Sequence, residues 1–175
     1  MKISRIQGGS NDTIDTHKSK YYRGAFLDIY RQIKENVGII IDPFARNCEW
    51  ADLTNDINPE TSAMNNLDAL DFVKTIPTNS GKLILFDPPF SDRQSKEKYG
   101  TSNLYSSDSN KISRIQNEFS RILRAGGYVI KLGYNSTRIK GLKLKEIRIV
   151  NFGGSRNDVI LSIHQKLNHN LGDFE

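Results

Sequence analysis

The chain has 175 residues, a formal net charge of +5 and a pI near 9.3, with 37% hydrophobic and 26% charged residues. This composition is typical of one globular domain rather than of a disordered chain, and the basic charge is weak support for a polyanionic partner. No apolar run approaches the ~20 residues that span a bilayer, and the polar N-terminal segment 1–20 carries no export signal, so we expect no membrane association.

Cysteine and histidine usage also limits the chemistry. The single cysteine, Cys48, excludes an internal disulfide and fits a reducing cytoplasm, where we expect the protein to act. Cys48 has no histidine neighbours in the sequence, and His17, His164 and His169 are scattered. We therefore expect no metal site and predict that the three histidines lie on the surface.

Helices and strands alternate along the chain. Periodic apolar residues predict a helix at 22–35, a largely helical segment at 60–73 and a helix at 111–124. Strands are predicted at 38–41, 52–56, 82–86, 128–132, 145–150 and 159–164, most of them from short apolar runs, with a further short strand near Asn65. This alternation predicts an α/β domain with a mostly parallel, seven-stranded sheet, in which the last two strands form an antiparallel hairpin.

The most informative segment is an apolar strand that stops abruptly in Asp87-Pro88-Pro89-Phe90. Two prolines fix φ and remove backbone donors, so the strand must end there. Asp87 is then placed at the carboxyl end of a buried strand, where open α/β sheets bind ligands. A carboxylate, the Pro88 carbonyl and an aromatic ring together suit a planar base with an amino group.

Acidic residues also end the earlier strands or follow them. Asp42 ends the first predicted strand, and Asp56 ends the second, where a carboxylate suits hydrogen bonds to ribose hydroxyls. The alternative for Asp56 is an acid at the N-terminus of a helix, and Asp68 by itself is typical of a helix N-cap. In this context we favour the ribose contact for Asp56. In the loop after Asp42, Asn47 adopts positive φ more readily than most residues.

These segments, taken in order from 39 to about 165, resemble one family of enzymes. That family is a compact group of adenine-specific DNA methyltransferases from phages and prophages, which belongs to the class I S-adenosylmethionine-dependent amino-methyltransferases. The segments that carry the resemblance are Asp42-Pro43-Phe44-Ala45-Arg46-Asn47, Asn55-Asp56-Ile57, Asp68-Ala69-Leu70-Asp71-Phe72, Asp87-Pro88-Pro89-Phe90, Gly133-Tyr134-Asn135 and Gly153-Gly154. The glycines that usually follow Asp-Pro-Phe-Ala are replaced here by Arg46 and Asn47, which matches a variant of the same family.

The resemblance implies a Rossmann-like fold, S-adenosylmethionine as the cofactor and DNA as the partner. It assigns catalysis to Asp87, Pro88, Pro89 and Phe90. It also implies that the target adenine is flipped out of the duplex into the pocket that these residues form. Together with the residue pattern of the segment after the motif, it predicts substrate contacts for Phe90, Arg93, Lys96, Lys98, Tyr99 and Asn135. Cofactor contacts fall to Asp42, Pro43, Phe44, Ala45, Arg46, Asn47, Asp56, Ile57, Asp68, Ala69 and Asp87.

The polar segment 91–110 is long for a loop inside a domain. It leaves the Asp-Pro-Pro-Phe motif directly and interleaves cations with tyrosines, a pattern that favours a lid in contact with nucleic acid. A simple surface loop is the alternative. A second basic run, 138–148, is either a further contact surface or a solvated face.

Several alternatives stay open at this point. The motif reads an amino group rather than a sugar, so RNA adenine or the cytosine N4 amino group would also fit. A non-catalytic nucleic-acid-binding or partner-binding subunit with the same fold is the alternative from another class. We predict a single domain at 21–167 followed by a tail at 168–175, with specificity supplied by the lid, by a homodimer or by a partner.

Overall fold

A computed structural model describes residues 1–7, 19–89, 109–151 and 158–167 of the protein. Three helices lie in these ranges: α1 (Lys20–Ile33), α2 (Ala69–Thr75) and α3 (Ser109–Ile122). The strands are β1 (Lys2–Gln7), β2 (Ile39–Asp42), β3 (Leu53–Thr54), β4 (Gly81–Phe86), β5 (Leu123–Gly133), β6 (Lys143–Asn151) and β7 (Val159–Gln165). None of these helices is long and apolar enough to cross a membrane.

The seven strands form one sheet in the order β1-β6-β7-β5-β4-β2-β3. Strand β7 is antiparallel to both of its neighbours, and every other pairing is parallel. The predicted mostly parallel sheet with a terminal antiparallel hairpin strand is therefore confirmed. From β2 the chain first builds outward to β3 and then returns to β4 on the other side, so the strand order reverses beside β2. Open α/β sheets bind ligands at such a switch point, outside the carboxyl ends of the strands.

Both faces of the sheet are covered, which explains the continuous apolar character of its central strands. One face buries Ile40, Leu83 and Leu85 against α1, and the other buries Ile41 and Ile84 against α2 and α3. Ser19 is the N-cap of α1, and its hydroxyl accepts the Tyr22 N–H. The first turn of α1 lies beside the carboxyl ends of β2 and β4, since the charges of Asp42 and Asp87 act on Tyr22.

The predicted helix at 60–73 is wrong over most of its length, because helix begins only at Ala69. In the segment before Ala69, polar side chains accept hydrogen bonds from the backbone N–H groups instead. Asp56 accepts the Asn58 N–H at 2.9 Å, and Asn58 in turn accepts the Glu60 N–H at 2.9 Å. Such local bonds compete with helix formation.

The sheet also has a strand, β1, that no pattern in the sequence predicts. Strand β1 lies within segment 1–20 and pairs in parallel with β6, from Lys2 opposite Glu146 to Gln7 opposite Asn151. Its side chains are mostly exposed, so no apolar alternation marks it in the sequence. The strand predicted near Asn65 is a single parallel bridge to Asn55.

Candidate active site

Three carboxylates that the sequence places at strand ends lie close together in the structure. Asp42 ends β2, Asp56 follows β3 and Asp87 follows β4. Their proximity is evident from electrostatics, since the charges of Asp87 and Asp56 both raise the pKa of Asp42. The carboxyl ends of the central parallel strands therefore meet in an acidic cluster, which we define as Asp42, Asp56 and Asp87.

Asp42 is the most strongly perturbed member of the acidic cluster. It is 5% exposed, and its Oδ1 accepts the Phe44 N–H at 3.0 Å. Burial, partly opposed by that hydrogen bond and reinforced by Asp87 and Asp56, raises the pKa of Asp42 to about 8. Among the described residues, no lysine or arginine forms an ion pair with Asp42. Asp42 therefore carries a proton for most of the time at pH 7 and would gain from a cationic ligand.

Helix α1 adds Tyr22 to this cluster, a residue that the sequence analysis does not assign to the site. Tyr22 is 3% exposed and stacks on Trp50 with ring centroids 5.8 Å apart. Burial, then the charges of Asp42 and Asp87, raises the pKa of its hydroxyl. That hydroxyl has no hydrogen-bond partner among the described residues. A buried tyrosine hydroxyl normally finds a partner, and the charges of Asp42 and Asp87 reach this one, so its position suits a polar ligand among these groups.

The loop after Asp42 is tight although it lacks glycine. Arg46 has a φ of +50°, and among the described residues only Asn79 shares this property without being glycine. The Arg46 N–H donates to Asp56 Oδ2 at 3.1 Å, which holds the strained backbone in place. Asn47 does not have the positive φ considered for it. Its side-chain Oδ1 instead accepts the Ser62 N–H at 2.9 Å.

Asp56 stabilises the loop after β2 through hydrogen bonds. It is 1% exposed, and its two oxygens accept the N–H groups of Arg46 and Asn58. Burial raises its pKa, while those hydrogen bonds and the Arg46 charge oppose the rise. Ile57 beside it is partly exposed. The carboxylate thus has a clear role in shaping the loop, and its predicted contact with a ribose stays a prediction.

Asp68 caps α2, as its sequence context allows. Its Oδ1 accepts the Leu70 N–H at 2.9 Å, while its Oδ2 accepts a hydrogen bond from Lys111 Nζ at 2.6 Å. Both side chains of this ion pair are 23% exposed. Ala69 is buried in the core behind it. Any adenine amino group bound by Asp68 would have to share the carboxylate with Lys111, which the sequence does not reveal.

The Asp-Pro-Pro motif sits where the sequence predicts. Asp87 is half-buried, and Pro88 and Pro89 are buried. The remaining predicted substrate residues of this region, Phe90, Arg93, Lys96, Lys98 and Tyr99, lie outside the described residues, as does most of the predicted lid.

Strand β5 brings Asn135, the last predicted substrate residue, close to the Asp-Pro-Pro motif. Phe86 pairs with Lys131 of β5, so the end of β5 lies next to Asp87. Asn135 follows β5 directly, and its Oδ1 accepts a hydrogen bond from Lys131 Nζ at 3.3 Å. The loop 134–142 therefore borders the Asp-Pro-Pro motif.

One member of the second basic run has a structural role. Arg148 donates to Asp28 Oδ2 and to Glu146 Oε1, both at 2.9 Å, and its side chain is 14% exposed. These bonds join α1 to β6. Arg148 is thus engaged within the protein, whereas Arg138, Lys140, Lys143 and Lys145 are exposed.

Comparison with solved structures identifies the class of fold. A presumed methylase, HI0767 of Haemophilus influenzae, has a TM-score of 0.51 at 12% identity, over 83% of this chain and 98% of its own. A presumed methyltransferase, yhhF of Escherichia coli, has a TM-score of 0.52 at 12% identity, over 93% and 97%. The N-methyltransferase NodS of Bradyrhizobium japonicum WM9, in complex with S-adenosyl-l-homocysteine, has a TM-score of 0.52 at 10% identity, over 89% and 92%.

These likenesses establish the Rossmann-like fold of class I methyltransferases. The sequence itself matches no protein-family model and no curated protein.

Proposed function

We propose that the protein is an S-adenosylmethionine-dependent methyltransferase that acts on the N6 amino group of adenine in DNA. The observation that carries this proposal is the position of Asp87-Pro88-Pro89. The motif leaves the central strand β4 at the switch point of a methyltransferase fold, beside a buried acidic cluster. The carboxylates of this buried cluster suit a cationic organic ligand.

The residues present fit the proposed cofactor. S-adenosylmethionine carries an ammonium group and a sulfonium, whereas the acidic cluster offers carboxylates and the Tyr22 hydroxyl offers a polar atom in need of a partner. Asp42, Asp87 and Tyr22 would hold the methionine end, and Arg46 would meet its carboxylate. Asp56 and Ile57 would face the ribose, and Asp68 and Ala69 the adenine. The bound cofactor supplies an electrophilic methyl group.

The protein's own residues would orient the other reactant. The adenine amino group is a poor nucleophile because its lone pair is delocalised into the ring. The Asp87 carboxylate and the Pro88 carbonyl would each accept one of its hydrogens, which turns the lone pair toward the methyl carbon. Orientation of this kind contributes several kcal/mol to catalysis, and fixed acceptors stabilise the positive charge that develops on nitrogen. Phe90 would stack on the flipped base.

The first test removes the acceptor. Asp87→Ala should lower methyl transfer by at least about 100-fold, the usual effect of losing one preorganised polar partner of the transition state. Folding should persist, because Asp87 follows the strand rather than filling its core. Transfer of tritium from labelled S-adenosylmethionine to unmethylated DNA is the measurement, and the matched control is Asp71→Ala, which changes a 70% exposed acid on α2.

Near-wild-type incorporation by Asp87→Ala would refute the assigned role. Wild-type protein that neither binds S-adenosylmethionine nor methylates DNA would favour the alternative of a non-catalytic subunit. Incorporation into RNA, or into cytosine, would move the activity to one of the other amino groups that the motif can hold.

A further inference from the structure

A buried lysine lies on the sheet face opposite α1, beside the carboxyl end of β4. Lys131 belongs to the carboxyl-terminal half of β5 and is 5% exposed. Its Nζ donates to Asn135 Oδ1 at 3.3 Å and to Thr137 Oγ1, and Thr137 Oγ1 donates to Asn135 Oδ1 at 3.1 Å. The three side chains form a closed triangle at the start of loop 134–142.

The charge of Lys131 is not used in an ion pair. Among the described residues, no carboxylate lies within ion-pair distance of its Nζ. Burial lowers its pKa to about 8, and the cost of burying an ammonium in this way is substantial. A methionine or leucine would fill the same space without that cost. The ammonium must therefore contribute through its hydrogen bonds, and the bonds described all go to one loop.

The groups that face Lys131 are uncharged, so its ammonium is the charged group at this place. On β7, His164 is fully buried rather than on the surface as predicted. Burial, then the charge of Lys131, lowers the pKa of His164 to about 4, so its imidazole is neutral at pH 7. Ser162 of β7 pairs with Lys131 across the sheet, Phe86 pairs with it from β4, and α3 covers this face with Ile115 and Phe119. None of these carries a charge.

The identity of the donor fixes the orientation of the Asn135 amide. An ammonium has donors only, so the amide oxygen must face Lys131 and Thr137. The Asn135 NH₂ group must then point the other way. Since Asn135 follows β5 beside the Asp-Pro-Pro motif, this leaves an oriented donor at the border of the site.

We propose that Lys131 is a positioning residue, which fixes loop 134–142 so that the Asn135 amide nitrogen donates to an acceptor atom of the nucleic-acid substrate. The same loop carries Tyr134, which is 43% exposed, and the exposed cations Arg138 and Lys140, a combination suited to bases and phosphates. The inference rests on the proposed function for the identity of the substrate. The contact between Lys131 and Asn135 does not.

A double-mutant cycle tests whether Lys131 acts through Asn135. Lys131→Met should lower kcat/KM for methyl transfer to DNA by about tenfold, the effect of losing a bond to a charged group. In an Asn135→Ala background the same change should have less than about a twofold effect, because the group it positions is gone. Multiplicative losses in the double variant would overturn the proposal.

The protonation of Lys131 gives a readout that packing alone would not produce. At saturating cofactor, wild-type kcat/KM should fall as pH rises through about 8, when the ammonium is lost. Lys131→Arg keeps its charge at that pH and should extend the plateau upward. A wild-type profile that stays flat above pH 8 would contradict the proposal.

Nuclear magnetic resonance separates this inference from the proposed function. The side-chain amide signals of Asn135 in the wild-type protein should titrate with a midpoint near the Lys131 pKa of about 8, and they should not do so in Lys131→Met. Thermal melting shows whether each variant is folded. Should Lys131→Met fail to fold, the wild-type titration decides alone, and its absence between about pH 6 and pH 10 overturns the contact. Wild-type protein without methyl transfer would refute the proposed function and leave this titration valid.

Discussion

At the scale of single residues, Asp42 links the stability of the fold to its binding chemistry. Its pKa is about 8 in the folded protein and 3.8 as the ordinary value. The folded state therefore binds this proton more tightly than the unfolded state. The stability that follows is fully present below pH 3.8 and is lost as pH rises through about 8. A cation bound beside Asp42 would restore it.

Asp42→Asn should consequently stabilise the protein without cofactor and weaken the binding of S-adenosylmethionine. Its amide oxygen can still accept the Phe44 N–H, so the loop is preserved. We expect the melting temperature at pH 9 to rise by at least about 2–4 °C, the effect of 1 kcal/mol in a domain of this size, and the gain to shrink toward pH 5.

The linked proton offers a second measurement. Calorimetry at pH 7 in two buffers of different ionisation enthalpy should show proton release when the wild-type protein binds S-adenosylmethionine, and less release with Asp42→Asn. Asp71→Asn, an exposed acid, is the control. Equal melting of Asp42→Asn and wild type at pH 9 would show that Asp42 is already compensated.

The sequence locates the acids of the site better than it locates their partners. Asp42 and Asp87 are predictable because each follows an apolar strand, and Asp56 is predictable because it ends the predicted strand 52–56. Parallel strands bring these carboxyl ends together. Tyr22 is not, because helical periodicity shows that it faces the core but not which group it meets. The positive φ at Arg46 is held by its N–H bond to Asp56, a contact between two loops that no local sequence pattern marks.

At the scale of elements, loop 134–142 depends on one close approach to α3. Gly141 has a φ of +77°, and a Cβ at this position would lie 2.6 Å from Ser120 Oγ and 3.0 Å from Ser120 Cβ. The buried Ile139 anchors the same loop to the core under α3. The loop that carries Asn135 is therefore held at both ends, by Lys131 at its start and by Gly141 at its end.

Gly141→Ala should destabilise the protein by about 1–3 kcal/mol, the usual cost of a side chain at positive φ. The matched control is Gly24→Ala in the middle of α1, where a Cβ would meet nothing within 4 Å. Helix propensity predicts that this control stabilises the protein by about 0.5–1 kcal/mol. Urea unfolding of the two variants gives both values, and equal effects would show that the loop adapts to the added methyl group.

Some helices and strands are more predictable from their sequences than others. Helix α3 and the buried strands are predicted because their apolar periodicity is strong. Strand β1 is not predicted, since it depends on backbone pairing with β6, far along the chain. The irregular stretch before α2 is not predicted either, since its short-range side-chain-to-backbone hydrogen bonds follow no apolar pattern. The strand count of seven is correct, but β1 takes the place of the strand predicted near Asn65.

At the scale of the whole molecule, β1 covers what would otherwise be the open edge of β6. It contributes six parallel register pairs. The accompanying ion pairs, Lys2 with Glu146 and Arg5 with Asp158, involve lysine and arginine side chains that are 72% and 69% exposed, and such pairs contribute little. Its value to the fold must therefore lie in backbone pairing and in protecting an edge.

Removing residues 1–7 should lower the melting temperature and promote association, because β6 would then present unpaired backbone groups. Lys2→Ala combined with Arg5→Ala keeps the strand and removes both ion pairs, so this variant should behave almost like the wild type. Melting curves and size-exclusion chromatography at several concentrations are the measurements. A shortened protein that melts like the wild type and stays monodisperse would show that β1 is dispensable.

The directions of the outer strands have a practical consequence. Strand β1 runs parallel to β6, and β6 runs the same way as β5 because both are antiparallel to β7. The chain therefore enters the sheet at Lys2 and leaves it at Gln165 along the same rim, opposite the rim that holds Asp42 and Asp87. A fusion partner or surface tether joined next to either of these positions would begin on the far side of the sheet. Protein immobilised in this way should present its candidate site toward solution, where the proposed DNA substrate can reach it.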